Sequence, residues 1–108
     1  MRTLKDCGLS SDEIECLITL CRSYPDIKQI KLFGSRAKGN FTARSDIDLA
    51  IIGNKVTRHT INNLLLDLDD SDIPYSVDAI NYQEIKNASL INHIDRIGIT
   101  LYSNEVAD

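Results

Sequence analysis

The stretch Ser45-Asp46-Ile47-Asp48-Leu49-Ala50-Ile51-Ile52 decides how this chain is read. Its second half is apolar at every position, which is the pattern of a strand covered on both faces inside a sheet. Its first half carries two carboxylates, Asp46 and Asp48, separated by one residue. Successive side chains on a strand point to opposite faces, so residues two apart share a face. Both carboxylates therefore project the same way at the head of a buried strand. Two like charges so placed drive each other toward protonation unless a cation joins them. Oxygen-only ligands suit Mg²⁺ or Mn²⁺, and Mg²⁺ is commonly held by one or two carboxylates together with substrate phosphates. An isolated Asp-x-Asp is a weak signal, and its position at the mouth of an apolar strand is what strengthens it.

Upstream, Ile30, Leu32 and Phe33 form a short strand pattern that runs into Gly34-Ser35-Arg36-Ala37-Lys38-Gly39. A Gly-Ser pair leaving a strand and entering a helical turn, here expected over Arg36 to Lys38, lets backbone N–H groups approach phosphate oxygens. The Ser35 hydroxyl adds a donor, and Arg36 and Lys38 offer positive charge. Neither GxxxxGK[ST] nor GxGxxG is present, so this is not a Walker A loop or a dinucleotide fingerprint. Alone, the segment reads more readily as a tight turn with solvated basic residues.

Downstream, Ser76-Val77-Asp78-Ala79-Ile80 reads as another strand, following Pro74. An acid among strand-forming residues is costly unless it is paired, metal-bound or facing water at a sheet edge. If this strand lies beside 46–52, Asp78 completes a cluster of three carboxylates able to hold two metal ions. Asp78 is then the candidate general base.

The remaining pattern is helical with one further strand. Ser10 and Glu13 mark a capping box before Ile14, Leu17, Ile18 and Cys21, and Pro25 ends that helix. Residues 57–69 carry a helical stripe through Ile61, Leu64, Leu65 and Leu68. Asn81 and Glu84 mark a second capping box, opening a helix through Ile85, Ala88, Ile91 and Ile94. Gly98 breaks it, and Ile99 to Tyr102 is a final strand. The order helix, strand, strand, helix, strand, helix, strand implies an α/β or α+β domain, a mixed sheet of about four strands with helices packed on it.

Composition narrows the function. The 108 residues are 43% hydrophobic and 26% charged, an ordinary globular mix expected to form one domain over 1–108. The net charge of −4 speaks against direct nucleic-acid binding. Its distribution is uneven: residues 1–60 balance at +3 and residues 61–108 at −7, with no acid at all between Lys28 and Arg44. Something in the first half is suited to an anion. No apolar run approaches the roughly 18 residues of a membrane span. The opening MRTLKDCGLSSDE lacks the apolar stretch of a signal peptide, so a cytoplasmic location is expected. Cys7, Cys16 and Cys21 have no CxxC spacing and make a poor disulfide or zinc framework, and Cys21, at helical spacing from Ile14, Leu17 and Ile18, reads as a core thiol. His59 and His93 read as surface or satisfied histidines, Asp67, Asp69, Asp70 and Asp72 as a solvated run at a helix end, and Leu64-Leu65-Leu66 as core.

Gly34-Ser35 followed by Asp46-Ile47-Asp48, and then by Ser76-Val77-Asp78, resembles the signature of the nucleotidyltransferase superfamily related to DNA polymerase β. The compact form, with GSRAKG, SDIDLAI and IPYSVDAIN, is similar to the minimal nucleotidyltransferases, in particular the MntA-type antitoxins that act beside HEPN-domain toxins. The resemblance runs from about Ile30 to Tyr102. It implies the nucleotidyltransferase fold, with Gly34 and Ser35 on the triphosphate of ATP and Asp46, Asp48 and Asp78 as catalytic metal ligands for two Mg²⁺ ions, or Mn²⁺. It also implies transfer of AMP from ATP to a tyrosine hydroxyl of a HEPN-type partner in a hetero-oligomer. Two alternatives stand beside this one. One is a non-catalytic, nucleotide-binding antitoxin that neutralises its partner by complex formation. The other is a small-molecule nucleotidyltransferase of the antibiotic-modifying kind. A chain of this length leaves the rest of an active site to be supplied by a partner.

Overall fold

A computed structural model describes residues 3–104. Its elements follow the expected order: α1 (Ser11–Arg22), β1 (Gln29–Phe33), α2 (Gly34–Lys38), β2 (Ile47–Ile52), α3 (Arg58–Asp69), β3 (Val77–Asn81), α4 (Ala88–Ile97) and β4 (Ile99–Ser103). The strands form one mixed sheet in the order β3-β2-β1-β4. β1 runs antiparallel to both β2 and β4, whereas β2 and β3 are parallel. The strand read as central is therefore an inner strand, and β3 lies at an edge.

One face of the sheet builds the core. Ile30 and Leu32 of β1 pair with Ile51 and Leu49 of β2, and all four are fully buried. With Ile47, Ala79 and Leu101 they meet Leu17 and Cys21 of α1 and Ile61, Leu64 and Leu68 of α3. The cysteines are free; Cys21 is buried as expected, Cys7 is buried too, and Cys16 is half-buried. Burial pushes the Cys21 thiol up to about 12, so it stays protonated and unreactive. α1 begins as its sequence specifies: Ser10 Oγ accepts from the Glu13 amide at 3.1 Å and the Glu13 carboxylate accepts from the Ser10 amide at 2.8 Å. Across the sheet, α4 packs on β1. Alternation sends Asp48 and Asp78 to this second face.

Three expectations need correction. The Asn81–Glu84 pattern caps only a short 3₁₀ turn, Tyr82–Glu84. Asn81 is the last residue of β3, paired with Ile51, and its side-chain amide donates to the Val56 carbonyl and the Glu84 carboxylate. α4 starts later, at Ala88, where Asn87 Oδ1 accepts from the amides of Ser89 and Leu90 at 2.9 and 3.3 Å. The second correction is Leu66, which is 67% exposed while its neighbour Leu64 is buried. Three consecutive leucines on a helix cannot all face one way.

The third concerns Arg36. It is 1% exposed and belongs to the interior. Its guanidinium donates to the Ser45 carbonyl from Nε at 3.1 Å and Nη2 at 2.9 Å, and to the Cys7 carbonyl from Nη1 at 3.0 Å. The same plane lies over the Tyr75 ring at 4.4 Å and the Phe41 ring at 5.3 Å. Arg36 thus ties the segment after α2, the N-terminal turn and the entry to β3 to one cation. Three of its N–H donors go to backbone carbonyls, so it clamps the loop that precedes Asp46 instead of standing solvated.

Replacing Arg36 by Met leaves those carbonyls without their donor and removes the cation from two rings. We expect a loss of about 2–4 kcal/mol in chemical denaturation. An unchanged midpoint would show that the clamp carries no stability.

Candidate active site

The site is assembled at one end of the sheet, where β1 ends and β2 and β3 begin. In the β1–β2 pairing Phe33 lies opposite Asp48, and in the β2–β3 pairing Asp48 lies opposite Asp78. The parallel register places both carboxylates on the face that α4 covers. Asp46 stands one residue ahead of β2 and, like Asp78, is exposed, while Asp48 is half-buried. The sequence-derived trio is therefore brought together.

Gly34 closes the site from the β1 side. Its backbone sits at φ +74°, in the left-handed region that glycine alone enters without cost. A Cβ at this position would overlap Asp48 Oδ2 and lie 3.1 Å from Asp48 Cγ. α2 starts at Gly34 itself, two residues earlier than expected, and ends at Gly39, whose φ of +95° lets the chain turn away. Ser35 is half-buried next to Gly34. Lys38 is exposed at the far end of α2, where with Lys5, Asp95 and Arg96 it lines a groove of about 1080 Å³ that the carboxylates do not enter. The structure thus places Gly34 against Asp48, Arg36 on the carbonyl of Ser45 just before Asp46, and Lys38 in a groove that Asp46, Asp48 and Asp78 do not line.

His93, read from the sequence as a surface or satisfied residue, reaches this site from α4. Its Nε2 accepts the Gly34 amide at 3.1 Å, and its ring meets Phe33 edge-on with centroids 6.1 Å apart. No local spacing signals this contact, because 59 residues separate the partners.

Electrostatically the site carries surplus negative charge. Asp48 is raised above the ordinary carboxylate value, first by burial, then by Asp78 and Asp46; His93, when protonated, pulls the other way. Among the described residues, no group of three or more His, Cys, Asp or Glu side chains is arranged so that it could hold a metal ion by itself. Asp78 and Asp46 are near enough to act on Asp48 electrostatically. One or two of them with phosphate oxygens form the usual Mg²⁺ ligand set.

Two outcomes follow from this geometry. Because Asp48 is raised in the folded chain, its ionisation costs stability. That cost is absent below the unfolded value near 3.8 and fully present once pH exceeds the raised folded value. Asp48→Asn in EDTA should therefore raise the melting temperature at pH 7 by a few degrees and leave stability flatter between pH 4 and 7. A lower melting temperature at pH 7 would contradict the charge account. Gly34→Ala must leave the left-handed region or displace Asp48, and should cost about 1–2 kcal/mol by denaturation, where an unchanged stability would contradict the close approach.

A search of curated proteins finds no match. Among solved structures, a chain of a toxin–antitoxin complex with AMP-PNP superimposes with a TM-score of 0.71 at 23% identity, covering 85% of this chain and 74% of that one. A tri-AMPylated Shewanella oneidensis HEPN toxin in complex with MNT antitoxin gives a TM-score of 0.68 at 20% identity, over 90% and 75% of the two chains. A nucleotidyltransferase-like protein of Sulfolobus solfataricus gives 0.51 at 18% identity, over 93% and 95%. At these identities the likeness establishes the fold. The family model described as polymerase beta, nucleotidyltransferase matches residues 15–106, which span every element of the sheet and the whole carboxylate site. The chain belongs to the polymerase beta-type nucleotidyltransferase family.

Proposed function

We propose that this chain is a Mg²⁺-dependent adenylyltransferase that moves AMP from ATP to a tyrosine hydroxyl of a HEPN-type toxin and so acts as its antitoxin. The observation that carries this reading is the register of Asp48 with Asp78, beside Asp46 and against Gly34 at an open end of the sheet. The relatives in fold support the choice of nucleotide and partner: one is a toxin–antitoxin complex with AMP-PNP and another contains an AMPylated HEPN toxin with its MNT antitoxin.

The donor set fits a hard divalent cation, being all carboxylate oxygen with Asp78 and Asp46 both acting on Asp48. Asp46 and Asp48 would hold Mg²⁺, or Mn²⁺, and Asp78 would share a second ion. Bound there with ATP, the metal would neutralise phosphate charge and make the attacking hydroxyl more acidic. The chain's own groups do the rest. Gly34 and Ser35 orient the triphosphate at the start of α2, where first-turn N–H groups lack carbonyl partners within the helix. Asp78, exposed at the edge strand, receives the proton of the incoming hydroxyl. The hydroxyl oxygen bonds to the α-phosphorus, the bond from that phosphorus to the bridging oxygen breaks, and pyrophosphate leaves.

The exposure of Asp46 and Asp78 favours a protein acceptor, since a hydroxyl on another chain can reach them without a lid opening. Among the described residues, no helix is long and apolar enough to cross a membrane.

The test is label transfer from [α-³²P]ATP to a co-expressed HEPN-type partner. Asp46→Asn and Asp48→Asn should each lower labelling by about 100-fold or more while the variant still forms the complex. Equal labelling by wild type and variants would sink the catalytic assignment. Undiminished protection of cells by unlabelling variants would instead support neutralisation by complex formation alone.

A further inference from the structure

The Gly34 amide is the first N–H of α2, so the helix itself offers it no carbonyl. In a phosphate-binding turn such an N–H is ordinarily free to meet the ligand. Here it is taken: His93 Nε2 accepts it at 3.1 Å in a half-buried setting. An accepting Nε2 places the ring proton of the neutral imidazole on Nδ1. The edge-on packing of the ring against Phe33, 78° between planes, holds the imidazole on the residue just before Gly34. The bond therefore fixes the Phe33–Gly34 peptide plane. That plane sets the φ of Gly34, and with it the close approach of Gly34 to Asp48. α4 packs on β1 and α2, so the histidine is carried on a rigid element.

From these contacts we infer that His93 is a positioning residue for nucleotide binding. It holds the Gly34 amide on Nε2, keeps the bare Cα of Gly34 against Asp48, and leaves Ser35 and the following first-turn amides, rather than the Gly34 amide, to meet the phosphates. This rests on the reading of the chain as an ATP-using transferase. It assigns to α4 a part in the site beyond packing, and it revises the role of Gly34 from phosphate donor to spacer.

The experiment compares wild type with His93→Phe, which keeps a ring against Phe33 and removes the acceptor, and His93→Gln, whose amide oxygen can reach the Nε2 position. AMP-PNP affinity is measured by calorimetry in Mg²⁺, and the Gly34 amide is followed by ¹⁵N–¹H correlation spectra. His93→Phe should weaken AMP-PNP about tenfold, with its Gly34 amide proton shifted upfield and exchanging faster. His93→Gln should restore affinity to within about threefold of wild type, as expected if the acceptor rather than the ring is what matters. If His93→Phe does not fold, His93→Asn, whose shorter amide falls short of Gly34, takes its place with the same expectations. Wild-type affinity in the acceptor-less variant, or a Gln variant as weak as it, would overturn the positioning role. Failure of the wild type itself to bind AMP-PNP with Mg²⁺ would overturn the functional reading beneath it, and the two failures are distinct.

Discussion

The meeting of Asp48 with the bare Cα of Gly34 is the constraint on which the site depends. It requires β1 and β2 to pair so that Phe33 faces Asp48, and it requires a residue without a Cβ at the end of β1. The left-handed backbone at Gly34 then starts α2 directly from the strand. Pairing of β2 with β3 in parallel adds Asp78 in register. A core of aliphatic residues on the opposite face fixes these registers, because a slip of one residue would turn Asp48 into the core and Leu49 out of it. Packing on one side of the sheet thus determines the charge arrangement on the other.

That arrangement is unfavourable in isolation. Burial and two neighbouring carboxylates act together on Asp48, a cost that the proposed metal-dependent transfer would explain. Supporting structure is correspondingly firm. Arg36 spends its donors on the carbonyls of Ser45 and Cys7, which holds the loop leading into Asp46 and Asp48. His93 does the same for the turn at Gly34. Arg36 and His93 thus both fix backbone around the carboxylates, one by donating to carbonyls and the other by accepting an amide.

Much of this was legible in the sequence, and the reasons for the rest are physical. β2, β3 and the shared face of Asp46 and Asp48 follow from local alternation, and the carboxylate trio follows from placing two strands side by side. The true start of α4 was hidden because Asn81-x-x-Glu84 imitates a capping box, while tertiary pairing keeps Asn81 in β3 and hands the cap to Asn87. Arg36 looked like a phosphate ligand because guanidinium groups are seldom buried. Its burial depends on carbonyls and rings from distant segments that no spacing reveals. His93 was missed for the same reason: its partner lies across the fold.

The central claim is that the carboxylates and the Gly34–Ser35 turn bind metal and nucleotide as one unit. Thermal unfolding with Mg²⁺ alone, AMP-PNP alone and both together tests it most directly. Ligands that complete one another's site stabilise more jointly than separately. The account predicts a rise in melting temperature with both that clearly exceeds the sum of the separate effects. An equal rise with AMP-PNP in EDTA would contradict it.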